Sequence, residues 1–112
     1  MLIYKIFRRP EWDALIAAGE TLGAPVDLSD GYIHFSAAPQ LAETAAKYFS
    51  GISDLVLVAC DADALEPQIK WEASRGGALF PHLYRPLRRA DVVWDKSLPL
   101  GASGHIFPEG VF

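Results

Sequence analysis

Apolar and polar positions alternate with period two over much of this chain, and helical spacing takes over in between. "LIYKIF", residues 2–7, is rich in β-branched and aromatic types and predicts a strand. In "RPEWDALIAAG" the period changes. Trp12, Leu15 and Ile16 fall at i, i+3, i+4, Pro10 suits a first helical turn, and Gly19 stands where a C-terminal cap belongs. The Gly-, Pro- and Asp-rich "GAPVDLSDG" predicts a loop leading into a strand, "YIHF". A second helix is predicted over residues 37–49, with Ser36 as its N-cap, Leu41, Ala45, Tyr48 and Phe49 on its apolar face, and Gly51 as its stop.

"DLVLVAC", residues 54–60, is apolar without interruption, which predicts a strand covered on both faces. "DADALEP" reads as a turn or a short helical piece. Three further strands are predicted in "QIKWE" (68–72), "LFPHLYRPL" (79–87) and "DVVWDK" (91–96), before a Gly- and Pro-dense tail expected to pack irregularly. The order β-α-β-α followed by several strands predicts an α+β fold, two helices on a mainly antiparallel sheet. The 112 residues suit one domain, 1–112, with a single core.

Alternation along the strands also sorts the chemistry. Tyr32, His34 and Ser36 share one face of their strand, opposite Ile33 and Phe35. Gln68, Lys70 and Glu72 share another, and Phe80, His82 and Tyr84 a third. Faces that carry His, Tyr, Ser and Glu suit a ligand-lined groove. The link "ASRGGA" decides whether two of these faces coincide: pairing Glu72 with Phe80 brings Glu72 and His82 to one side, and a slip of one residue separates them.

Each candidate has an ordinary alternative. His34 also fits a core-edge histidine bonded to backbone, Glu72 an exposed strand-end charge, and Ser36 a helix cap. Arg75 with Gly76 and Gly77 suits either a phosphate-binding loop or a plain turn. Cys60, the lone cysteine, excludes an internal disulfide and reads as a core residue. His34, His82, His105 and Glu72 have no short metal-ligand spacing, so no metal site is expected. Gly-rich phosphate motifs of the Rossmann and P-loop kinds are absent from the sequence.

A formal charge of −4 argues against general nucleic-acid binding. Arg85, Arg88 and Arg89 form the one basic cluster, read as a solvated strand end. The start "MLIYKIFRRP" has its charges on the wrong side of a short apolar run for a secretory signal, and no window reaches the roughly 20 apolar residues of a spanning helix. A cytoplasmic protein with no membrane partner is the expectation.

The set "IYKI", "GYIHFS" with "AAPQLAETAAKYF", "KWE" and "FPHLYRPL" resembles a small, mostly bacterial family catalogued as domain of unknown function 952. The resemblance covers nearly the whole chain and implies an ADP-ribosyltransferase-like fold, in which two small antiparallel sheets form a split with NAD between them. In active members of that wider group an early-strand His or Arg holds the ribose, aromatic or serine residues hold the nicotinamide, and a late Glu orients the reaction centre. Tyr4 and Lys5 occupy the first strand here, and Glu72 precedes the usual place of the Glu. The resemblance thus implies His34, Glu72 and His82 as catalytic candidates. Tyr4, Lys5, Ser36, Arg75 and Tyr84 become ligand-binding candidates, and NAD or a related nucleotide the ligand. The reaction implied is transfer or cleavage at the nicotinamide–ribose bond. A non-enzymatic nucleotide-binding module, a metal-assisted hydrolase using His34, His82 and Glu72, and a structural or regulatory partner stand as alternatives.

Overall fold

Strand β1 (Leu2–Arg8) is followed by helix α1 (Arg9–Ala18), which carries Pro10 in its first turn and is capped by Gly19 with φ 83°. The computed structural model describes residues 1–112 with every side chain except that of Arg75, so the phosphate-binding expectation for Arg75 lies outside the described residues. Trp12 and Leu15 of α1 are buried as their spacing requires, while Ile16 stays at the surface.

The segment expected to be a loop holds a third helix instead. After the two-residue strand β2 (Glu20–Thr21) comes α2 (Pro25–Asp30). Pro25 opens it, the Asp27 carboxylate accepts a hydrogen bond from the Ala24 N–H at 2.7 Å, and Gly31 closes it with φ 85°. Gly, Pro and Asp are loop residues by composition, but in this order they are also the start and stop signals of a single helical unit.

Strand β3 is only Ile33–His34, shorter than "YIHF", and α3 (Ala38–Tyr48) follows. Ser36 does not cap α3. Its backbone is still engaged with β1, the N-cap is Ala37, and the Gln40 side chain accepts the Ala37 N–H at 2.9 Å. The Ser36 hydroxyl lies 3.0 Å from that of Thr44. Leu41 and Ala45 are buried, whereas Tyr48 is exposed, and the helix ends before Gly51.

Strands β4 (Leu55–Asp61), β5 (Ile69–Ala73) and β6 (Leu79–Leu83) come next, then β7 (Leu87–Arg88) and β8 (Val92–Leu98). The tail is more regular than expected: β9 (Leu100–Gly101) and β10 (Gly104–His105) form a small hairpin. One three-stranded antiparallel sheet runs β1-β4-β8 and another β3-β6-β5, and β2 pairs with β7.

The two larger sheets touch through a single antiparallel bridge, Tyr4 with Ser36. Residues paired across strands point to the same side, so the bridge joins the faces of both sheets. On one side Ile3, Phe7, Val56 and Val58 pack with Ile33, Phe35, Ile69 and Leu83 and with Trp12 and Leu15 of α1. On the other, Tyr4, Ile6, Leu55 and Leu57 pack under Leu41 and Ala45 of α3. Helix α3 packs on the β1-β4 part of that second face and reaches the start of β6 through Gln40, which donates to the Leu79 carbonyl at 2.7 Å. Central β4 is buried on both faces over Leu55–Cys60, as its unbroken apolar run requires. Among the described residues no helix is long and apolar enough to cross a membrane.

Leu57, fully buried under α3, gives the packing a direct test. Leu57→Ala should cost about 2–5 kcal/mol, read as a lower urea midpoint at unchanged slope. Val93→Ala, at a site 55% exposed, should shift stability by no more than about 0.5 kcal/mol.

Candidate functional site

The site begins where the bridge ends. Tyr4 and Ser36 exchange both backbone hydrogen bonds at 2.8 Å. If the antiparallel ladder ran on, Ile6 would face His34, whose N–H and C=O would bond to β1. Side chains take those two rungs instead: Asp27 accepts the His34 N–H at 3.0 Å, and the Lys5 ammonium donates to the His34 carbonyl at 3.1 Å. Lys5 and Asp27 are themselves paired at 2.9 Å, and both are buried. A buried ion pair carries a large desolvation cost, tolerated when the remaining hydrogen-bonding capacity is filled. Asp27 meets that condition, with contacts to Ala24 N–H, His34 N–H, the His34 ring and Lys5. Burial alone would raise the Asp27 pKa, but the His34 hydrogen bond and the Lys5 charge outweigh it and hold the carboxyl at about 2. Gly23, at φ +99°, lies against this carboxylate so closely that an added Cβ would overlap it.

His34 lies between two carboxylates. Its Nδ1 is 2.6 Å from Asp27 Oδ1 and its Nε2 is 2.9 Å from Asp30 Oδ2. The Nδ1 contact with Asp27 is a hydrogen bond, while Nε2 and Asp30 stand at ion-pair distance, and both are ion pairs only when the ring is protonated.

Beside it, β3, β6 and β5 assemble a second group on the same face. The register pairs Glu72 with Phe80, Lys70 with His82 and His34 with His82. Glu72 Oε1 is 2.9 Å from His82 Nδ1 and accepts the Tyr84 hydroxyl at 2.6 Å. Hydrogen bonds from Tyr84 and then His82 keep the Glu72 carboxyl below its ordinary range. The same Glu72 contact, with burial adding, pushes the Tyr84 phenol up to about 12. Tyr32 stacks on His82 with ring centroids 4.2 Å apart, and the His34 and His82 rings meet edge to face at 5.3 Å. His82 is buried, and its Nε2 has no hydrogen-bonding partner among the described residues.

A cleft of about 760 Å³ opens where the sheets part. Tyr4, Lys5, His34 and Ser36 line it, together with Asp30, Phe80 and the α3 residues Leu41, Thr44 and Tyr48. Glu72 and His82 are not in its lining, and Tyr84 instead borders a smaller hollow of about 360 Å³ with Tyr32 and Arg85. The candidate residues therefore form two adjoining groups, one in the cleft and one on the ring-covered surface beside it. Asp27 and Asp30 were not singled out from sequence. Their signal is the i,i+3,i+7 spacing Asp27–Asp30–His34, set in a stretch whose composition reads as loop.

Other candidates have structural partners. Arg85 grips Asp91 with two guanidinium contacts at 2.8 and 3.1 Å, and Arg89 donates to the Ile16 carbonyl. His105 Nε2 is 2.8 Å from the Ile52 carbonyl. Gly76 and Gly77 have positive φ in a turn closed by Ser74 and Ala78. Cys60 is fully buried, and burial pushes its thiol up to about 12. Among the described residues no group of three or more His, Cys, Asp and Glu is arranged to hold a metal ion. His34, His82 and Glu72 are neighbours without forming such a group.

A family model described as "Protein of unknown function (DUF952)" matches residues 6–95. No curated protein matches the chain. Among solved structures, the crystal structure of protein CC0527 from Caulobacter crescentus is 55% identical with a TM-score of 0.90, covering 94% of this chain and 92% of that one. The solution NMR structure of the same protein is 56% identical with a TM-score of 0.84, covering 93% and 90%.

Two measurements probe the electrostatics. Folding lowers the Asp27 pKa from an ordinary 3.8 to about 2. Its contribution is therefore whole above pH 4 and lost as pH falls through about 2, amounting to roughly 2 kcal/mol. Denaturation series at successive pH values should show that acid limb flattened in Asp27→Asn. The same variant should lose about 3–5 kcal/mol at neutral pH, where Lys5 is left buried without its counter-charge. Separately, Glu72→Gln should bring Tyr84 down from about 12 toward its ordinary 10, read as phenolate absorbance and assigned with Tyr84→Phe.

Proposed function

We propose, for a chain that belongs to the DUF952 family of proteins of unknown function, that the split between its two sheets is a binding site for a nucleotide-sized molecule, with NAD as the reference ligand. The observation that carries the reading is the cleft itself. Its volume of about 760 Å³ falls inside the range of roughly 300–1,000 Å³ usual for small-molecule sites. Its walls pair aromatic rings with a few convergent polar groups. Tyr4, Tyr48 and Phe80 offer faces for a base, the Ser36 and Thr44 hydroxyls suit a ribose, and His34 and Arg8 add polar groups to the lining.

Action at the nicotinamide–ribose bond is the finer version of this reading. Glu72, kept ionised by Tyr84 and His82, has the charge needed to offset positive charge developing at a ribose carbon. It adjoins the cleft through its cross-strand partner Phe80, so the ribose would have to lie across the Phe80 end. A second reading, a nucleotide-binding module without turnover, is favoured by the position of Glu72 outside the cleft lining and by the carboxylates on both nitrogens of His34.

Calorimetric titration with NAD, ADP-ribose and nicotinamide mononucleotide tests the binding. Saturable heat with at least one of them is expected. Phe80→Ala should weaken it about 5- to 100-fold, the loss usual for a base-stacking ring. No heat from any of the three at millimolar concentration would overturn the proposal. Mass spectrometry after long incubation separates the two versions: free nicotinamide marks turnover, and intact NAD marks the module.

A further inference from the structure

We propose that Asp30 is a built-in occupant of an oxyanion subsite in the cleft, and that a phosphate of the ligand displaces it from its place 2.9 Å from Nε2 of His34. The proposal rests on the cleft reading and says which end of the ligand goes where.

Orientation of the donor does not depend on Asp30. The His34 ring is fixed through Nδ1 by Asp27, 2.6 Å away, and Asp27 is fixed in turn by Lys5 and by the Ala24 and His34 N–H groups. Remove the outer carboxylate and the imidazole still points Nε2 the same way, as an oriented ring should.

Charge then decides what the ring faces. Lys5 and Asp27 cancel inside the fold, so the His34 ring, in its protonated form, is the uncompensated member. Arg8, also in the lining, is balanced by Glu11, 3.9 Å away and likewise in the lining. With Asp30 withdrawn and the ring protonated, this wall carries one net positive charge and presents Nε2 to a ligand-sized space. A charge-assisted hydrogen bond to phosphate is among the stronger polar contacts available there.

Asp30 itself is expendable. It is the last residue of α2, its side chain is 43% exposed, and its one ion pair among the described residues is with His34. The helix is anchored by Asp27, so Asp30 can swing out by a side-chain rotation while the backbone stays put. Partly exposed ion pairs of this kind contribute little, and a phosphate brings more charge and more acceptor oxygens than a single carboxylate. A ligand without an anionic group has no means to displace Asp30, so the device favours phosphorylated over unphosphorylated nucleosides.

Inorganic pyrophosphate, titrated at low ionic strength into wild type, Asp30→Asn and Asp30→Ala, tests the subsite apart from any base or ribose. Both variants should bind about tenfold more tightly than wild type, with the gain shrinking in high salt. The His34 side-chain NMR signals should move on binding, and His34→Gln in the Asp30→Ala background should remove the gain. Equal affinities in wild type and both variants, an unmoved His34, or a gain that survives His34→Gln would overturn the subsite. NAD binding with no effect of Asp30→Ala sinks the subsite and spares the nucleotide reading. A pyrophosphate gain without binding of any nucleotide does the reverse.

Discussion

A buried ammonium–carboxylate pair stands in for two missing rungs of a β-ladder, and the architecture of the cleft follows from that substitution. Strands β1 and β3 are joined through Tyr4 and Ser36 and then part. Parting exposes the amide and carbonyl of His34, which cannot stay unpaired in the interior. Asp27 and Lys5 satisfy them and neutralise one another. One polar unit therefore keeps the sheets apart, seats α2 and aims an imidazole into the resulting gap.

Around that unit the packing is unequal by design of the topology. Central β4 is enclosed by α1 and the second sheet on one side and by α3 on the other, so apolar burial there holds the molecule together. The outer face of β3-β6-β5 has no such cover. Its side chains cover one another, with Tyr32 over His82 and Tyr84 against Glu72. Stability and candidate chemistry thus occupy opposite faces of the same strands, which lets each vary with limited cost to the other.

Much of this was legible in the sequence because periodicity reports burial. The five long strands and helices α1 and α3 follow from apolar spacing, and the shared face of Glu72 and His82 follows once Glu72 is paired with Phe80. The hairpin link alone did not fix that pairing, since one residue of slip inverts every face. Helix α2 was missed because six residues with few apolar positions give no helical period to read. Asp27 was missed with it: a carboxylate's burial depends on a lysine 22 positions earlier and an imidazole seven later, and no local pattern encodes that meeting. Ser36 looked like a cap because Ser before a helix usually is one, and its engagement with Tyr4 was decided by tertiary pairing.

Gly23 carries a consequence for substitution. The carboxylate four residues on occupies the space where any other amino acid would place its first side-chain carbon. Positions 23 and 27 are therefore coupled: a bulkier residue at the first meets both a left-handed backbone and the acid that fills the space at the second.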